Sequence, residues 1–277
     1  MAILTISRGS MSGGEALANC LAKTLGYPLL GRDVVVKAAE KLGVSEETLA
    51  QKISRGPGLW ERMTSNRRIY VIGVQTALAE QAAAGNLIYH GHAGHMLLRG
   101  IPNVLRVRLI APLEMRVKAV MERQHLNREA AEEYIHNVDE ERTRWTKFIY
   151  GVDWNDPACY DVVVNLEKMS VDTACFMLAT LVGQPEFKST EEGKHAIDDF
   201  LLRCRVKLAL VTNPLTRDID FEVSAKDGVI DIKGELPRAG MLTHTSERDE
   251  GEIHRAAQSV PGVKTVYLNV HKFDAYH

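Results

Sequence analysis

An α/β fold, with a parallel sheet flanked by helices and a small α+β unit after it, is what this sequence predicts. Three observations predict it. Short apolar runs bounded by glycine alternate with helical stretches over residues 1–184, the pattern of a parallel sheet covered on both faces. The stretch "QPEFKSTEEG", with Pro185 and Gly193, is polar and reads as a linker. Beyond it the order becomes helix, strand, turn, strand, helix, strand, with Asp227-Gly228 between two alternating runs as a hairpin signal. A chain of 277 residues is also long for one core and fits a medium domain plus a small one. The expected division is therefore a domain over 1–184, a linker over 185–193 and a second domain over 194–277.

The elements follow in order. Ala2 to Ser7 is an apolar strand, and after "GSMSGG" a helix runs from about Gly13 to Leu25, closed by Gly26 with Pro28 beyond. A second helix spans Arg32 to Leu42 and stops at Gly43; "SEET" from Ser45 carries the cap and acidic first turn of a third. "GPGLWERM" is a break, and Asn66 to Ala84 reads as one long helix. "NLIYHG" and "NVLRVRLIA" are strands, the latter alternating apolar residues with Arg106 and Arg108. Pro112 opens the helix of "APLEMRVKAVMER", and "NREAAEEYIHNVDEERTRWTKFIYG" is a long charged helix. "YDVVVNL" is a further buried strand, and "SVDTACFMLATLVG" the closing helix of the first domain.

Composition excludes several classes of function. The formal net charge of -2 provides no long-range attraction for nucleic acid or an acidic membrane. Trp60, Trp145 and Trp154 are scattered rather than interleaved with basic runs, so no nucleic-acid partner is expected. The four cysteines, Cys20, Cys159, Cys175 and Cys204, form no CxxC and are expected as reduced core thiols. The N-terminus has no basic region followed by an apolar run, and no segment reaches the roughly 18 apolar residues of a membrane span. A cytoplasmic address without a transmembrane segment is the simplest expectation. No GxSxG occurs, so nucleophilic catalysis has no support.

Where a strand passes through a glycine-rich turn into a helix, backbone N–H groups and the helix dipole converge and can hold an anion. "LTISRGSMSGGEALA" has that form, but a Walker loop also needs GxxxxGK[ST]. In register, Gly14 stands where the lysine would be and Glu15 where the serine or threonine would be. The ordered motifs "TISR…SGG…A", "GRD", "GHAG", "IAPLEMR", "GVDWNDP" and "YDVVVN" resemble the cytidylate kinase-like family of P-loop proteins over about residues 1–182. The family opens on a pattern similar to ISRxxGSGGxxIA, so the absence of the lysine is ordinary within it. The resemblance implies a P-loop kinase-like sheet. It also implies phosphate contacts from Arg8, Ser10, Ser12, Gly13 and Gly14. Met11 stands where the family favours glycine, and Glu15 places a carboxylate at the helix start, where it competes with phosphate.

Phosphoryl transfer needs cationic positioning more than covalent help. Nucleoside monophosphate kinases supply cations from an arginine-rich lid, and "DEERTRWTKFIYGVDWNDP" is the matching segment, with Arg142, Arg144 and Lys147 as the catalytic candidates. Arg142 and Arg144, two apart, cannot face one way on a regular helix without a bend; the bland reading pairs Glu140 with Arg144. Arg32 and Asp33 fall at a family acid-base-acid cluster whose first acid is replaced by Gly31, and Arg116 matches a family arginine. These three, with His92, are the nucleotide-binding candidates. His92 stands where the family more often has arginine, so "HGHAGH" is better read as pocket lining or structure than as a metal site.

The C-terminal run "VSAKDGVIDIKGELPR…EIHRAAQSVPGVKTVYLNV" resembles a BON domain over about residues 194–272, with Gly228, Gly234 and Gly262 at turn positions. That resemblance implies a binding module for a protein or phospholipid partner, and no catalytic set. Two functions are expected from the whole. One is a nucleotide-binding kinase using ATP and Mg2+ to phosphorylate a nucleoside monophosphate; the other is a non-catalytic nucleotide sensor or scaffold with a degenerate loop. The oligomeric state stays open.

Overall fold

In β1 (Ile3–Arg8) the side chains alternate between two cores, which is what a strand buried on both faces must do. Ile3 faces one side, and Ala2, Leu4 and Ile6 face the other. The computed structural model describes residues 2–45, 66–237 and 246–273. The helix expected from "SEET" and the break at "GPGLWERM", with Trp60, lie outside the described residues.

After β1 come α1 (Gly14–Leu25), β2 (Leu29–Leu30), α2 (Arg32–Leu42), α3 (Asn66–Ala83), β3 (Leu87–His90) and the single turn α4 (Gly94–Leu97). Then follow β4 (Val104–Ile110), α5 (Leu113–Gln124), α6 (Arg128–Tyr150), β5 (Val162–Asn165) and α7 (Val171–Val182). The five strands pair in parallel in the order β2-β3-β1-β4-β5. One core joins Ile3, Leu87 and Tyr89 to Val34, Ala38 and Leu78 of α2 and α3; the other joins Leu4, Ile6 and Leu105 to Leu17, Leu21 and Leu178 of α1 and α7. The carboxyl ends of β1, β3 and β4 thus open on one edge, where ligands bind in open α/β sheets.

Two strands depart from expectation. β2 is a two-residue strand in "YPLL", too short to show a period. β5 was expected to be buried, yet it is the sheet's edge, and Val163 is 42% exposed. The expectation of reduced thiols is corrected for one pair. Cys20 of α1 and Cys175 of α7 form a disulfide across 155 residues, with Cα atoms 6.2 Å apart. Their sequence separation hides a contact that exists because both helices cover the same sheet face. Cys159 and Cys204 are free. The bridge removes the inference from reduced thiols to a reducing compartment. Among the described residues no helix is long and apolar enough to cross a membrane.

Residues 185–193 are not a linker. A 3-10 turn occupies Pro185–Phe187, and α8 (Glu191–Thr212) starts inside the stretch, capped by Thr190 Oγ1, which accepts from the Gly193 N–H at 3.0 Å. "STEEG" is polar because it is a helix N-terminus, with a hydroxyl cap and two acids in the first turn. Along α8, Ile197, Phe200 and Cys204 pack into the first core, whereas Leu202, Val206 and Leu210 pack into a third core. That third core underlies β6 (Phe221–Lys226), β7 (Val229–Pro237), α9 (Ser246–Gln258) and β8 (Thr265–Phe273). β6 runs antiparallel and β8 parallel to β7. The C-terminal layer is seated on α3: Thr76 Oγ1 donates to the Cys204 carbonyl at 3.3 Å, Glu80 pairs with both Lys41 and Arg205, and Arg68 pairs with Asp220 at 2.8 Å.

Candidate functional site

The turn from β1 into α1 has two residues, Met11 and Gly13, in the left-handed conformation. Gly13 has φ 82°, and a Cβ there would lie 2.9 Å from Leu166 Cδ1. Met11 has φ 53°, a left-handed conformation that costs an L-residue about 1–2 kcal/mol. Its side chain offsets that cost by packing against Val117, Val120, Ala131 and Ile135 of α5 and α6. The first helical bond runs from Leu17 N–H to the Gly13 carbonyl at 3.1 Å, so the amides of Gly14, Glu15 and Ala16 carry the unpaired donors of a helix start. They border a cavity of about 740 Å³.

A helical hairpin, α5 and α6, closes over this loop and is bonded to it. Arg116 Nε donates to the Ser10 carbonyl at 2.7 Å, and Arg142 Nη1 donates to the Arg8 carbonyl at 3.0 Å. Asp139 Oδ1 accepts from the Ser10 N–H at 3.1 Å, while its Oδ2 accepts from Arg116 Nη2 at 2.5 Å. Both backbone groups of Ser10 are therefore committed to the hairpin, which leaves its hydroxyl as the group on the cavity lining. Ser12 is also engaged, its hydroxyl donating to the Gly9 carbonyl at 3.0 Å. Gly13 caps α1 and Gly14 opens it, and both border the cavity.

Among the described residues the guanidiniums of Arg8, Arg142 and Arg123 face this cavity, with the carboxylates of Glu15 and Glu122 on its lining and that of Asp139 bonded to the loop. Burial, and then Arg142, push the Arg8 guanidinium down to about 10, which leaves it charged at neutral pH. Arg142 is also lowered, by burial above all and in part by Arg116, while Asp139 acts in the opposite direction. Like charges brought together at a helix N-terminus are stabilised by an anion. At the rim Glu15 and Arg123 form an exposed ion pair at 3.1 Å. The carboxylate that competes with phosphate is thus partly answered by the last turn of α5.

The other candidates are placed elsewhere. α6 is continuous, so Arg142 points to the loop while Arg144 lines a second cavity of about 500 Å³ with Arg108, Arg116, Trp154 and Asn155. Arg144 and Glu140 are not partners, since Glu140 pairs with His136 at 3.1 Å. Lys147 is exposed and borders neither cavity. Convergence of the three expected cations is corrected to one, because a straight helix turns the others away. Asp33 is exposed on the first turn of α2 and borders neither cavity; Arg32 opens α2, and its side chain is outside the described set.

His92 is enclosed rather than lining the loop cavity. Its ring meets Trp145 edge-on at 4.8 Å, its Nε2 is 3.5 Å from Thr146 Oγ1, and burial followed by Arg142 pushes it down to about 3. It is neutral and cannot replace an arginine. His90 does reach the cavity: its Nε2 accepts from Arg8 Nε at 2.8 Å. His95 is buried, its Nδ1 2.9 Å from Ser7 Oγ and its ring 4.6 Å from that of Tyr160. Sequence reasoning took His90 only as part of the pocket-lining segment "HGHAGH" without singling it out, and missed Asp139 and Arg123. The spacing of Asp139 and Arg142, three apart on one helix face, was the available signal for Asp139.

Comparison with known proteins bears on the same region. The sequence model described as "Cytidylate kinase-like family" matches residues 3–168. A cytidylate kinase of Ignicoccus hospitalis is 30% identical over 172 residues, covering 61% of this chain and 92% of the relative. One of Methanosarcina acetivorans is 37% identical over 168 residues, covering 60% of this chain and 87% of the relative. A crystal structure of an uncharacterized protein from Eubacterium ventriosum superposes with a TM-score of 0.52 at 20% identity, covering 66% of this chain and 98% of that one, a likeness of fold.

Proposed function

Because the chain belongs to the cytidylate kinase-like family, we propose that it binds ATP at this loop and transfers the γ-phosphoryl group to a nucleoside monophosphate. The observation that carries the reading is the meeting of Arg8 and Arg142 beside the open amides of Gly14 to Ala16. The donor set fits a polyphosphate: backbone N–H groups for non-bridging oxygens, two guanidiniums for the charge, and Arg123 at the rim. In the transfer, an acceptor phosphate oxygen forms a bond to the γ-phosphorus as the bond to the departing diphosphate breaks. Arg142, on the hairpin, would follow the charge on the transferring group, and Arg8 would stay with the phosphates nearest β1. Mg2+, when bound, would supply charge neutralisation on the phosphates; Glu15, in the Walker hydroxyl register, would hold it only by giving up its pair with Arg123. Asp139 keeps the hairpin closed on the loop by holding the Ser10 amide and Arg116 together.

A coupled assay with ATP, Mg2+ and a panel of pyrimidine and purine monophosphates tests this. Turnover of at least one monophosphate is expected, with a loss of about 100-fold or more in kcat for Arg142→Ala. A second reading, a non-catalytic nucleotide sensor, is favoured by one observation: Lys147 and His92 border neither cavity, and Arg144 lines the second cavity rather than the one at the open amides of α1. Nucleotide binding without turnover of any monophosphate would select it.

We further propose that the C-terminal layer is a BON-like binding module. Its outer sheet face mixes Glu222, Lys233, Asp231 and Asn269 in adjacent registers. Mixed charge on a flat face fits a protein partner better than an anionic phospholipid surface.

A further inference from the structure

The position where a Walker loop carries its lysine is not merely without one; the room for it is filled. A Cβ at Gly14 would lie 2.7 Å from His90 Nε2 and 2.8 Å from Arg8 Cγ. These two side chains come from the ends of adjacent parallel strands, β1 and β3, and they are bonded to each other at 2.8 Å. Direction is fixed by chemistry. A guanidinium only donates, so His90 Nε2 is a bare lone pair and the imidazole proton sits on Nδ1. With Nε committed, the two Nη groups of Arg8 are the ones left for the cavity, and among the described residues no side chain or carbonyl takes them.

We propose that His90 is a positioning residue that orients the Arg8 guanidinium, and that the Arg8–His90 unit takes the place of the loop lysine in holding phosphate. The inference rests on the phosphate-site reading above and deepens it. Without the His90 acceptor, Arg8 has a flexible side chain and a like-charged neighbour in Arg142, and nothing keeps its fork aimed at the loop. A lysine on the helix start would be a mobile point charge. An arginine on the neighbouring strand end, fixed by a second strand, is a preorganised one.

The test uses the full chain and its His90→Ala and His90→Gln variants, titrated with inorganic tripolyphosphate and with ATP plus Mg2+. His90→Ala is expected to weaken both ligands by about tenfold or more, the effect of removing a hydrogen bond to a charged group. His90→Gln, whose Oε1 can accept from Arg8, is expected to recover most of the loss. A spectroscopic measurement on the unsubstituted chain is independent of any ligand: long-range 15N–1H correlation is expected to show His90 in the neutral Nδ1–H tautomer. Unchanged affinity in His90→Ala, or a His90 carrying its proton on Nε2, overturns the proposal. If the unsubstituted chain binds neither ligand, the phosphate-site reading fails, and so does the role in holding phosphate; the tautomer then decides only whether His90 orients Arg8.

Discussion

Lowering the pH from 7.5 to 5.5 is expected to remove about 3–4 kcal/mol of folding stability, in a chain whose total is of the usual few to fifteen. Three histidines carry the effect, His95 buried and His90 and His92 partly so. His90 and His95 are pushed down to about 4 and His92 to about 3, in each case by burial first. Arg8 and Arg142 add to the shift of His90, against Glu15; Arg142, Arg8 and His95 add to that of His92; Arg106 and Arg108 add to that of His95. In the unfolded chain each would titrate near 6.5. The sign follows: above about 6.5 both states are neutral and stability is full, and between that value and the folded pKa only the unfolded chain takes up protons. Each histidine then contributes close to 1.4 kcal/mol per pH unit. Urea unfolding at the two pH values measures the difference, and His90→Gln should reduce it by about one histidine's share. A difference below about 1 kcal/mol would contradict the burial of these rings.

Restoring the missing lysine is expected to harm the protein. In Gly14→Lys the new Cβ meets His90 and the stem of Arg8, inside normal contact distance for both. Overpacking of this kind costs about 1–3 kcal/mol. The ammonium would also join Arg8 and Arg142, so the added charge is resisted rather than welcomed. The expected result is a lowered Tm together with ATP affinity reduced by about tenfold, read by thermal unfolding and calorimetric titration. A variant of unchanged stability with raised affinity would show that the Arg8–His90 pair does not hold the lysine's place.

How far this was legible in the sequence differs by element. The parallel sheet, α1, α2 and the hairpin of β6 and β7 follow from apolar period and glycine position, which local residues determine. β2 was too short for a period, and the edge position of β5 depends on strand order, which no local pattern encodes. The supposed linker failed because a capped acidic helix start and a linker share a composition, and only the packing of Ile197 and Phe200 separates them. At the site, the resemblance pointed to the loop and to Arg142, which lie together in the structure. It could not show that Asp139 occupies the Ser10 amide, or that His90 rather than His92 reaches the loop, since both depend on contacts over 80 or more residues. Met11 looked like a lesion in the loop. Its left-handed backbone and its packing under the hairpin make it part of the closure instead.

A working polyphosphate site at this loop, with Arg8 and Arg142, has a direct thermodynamic signature. Calorimetric titration of the full chain with ATP and Mg2+, repeated on Arg142→Ala, tests it most directly. One saturable site is expected, weakened by about tenfold or more in the variant. No binding up to millimolar ATP, or binding that Arg142→Ala leaves untouched, would contradict it.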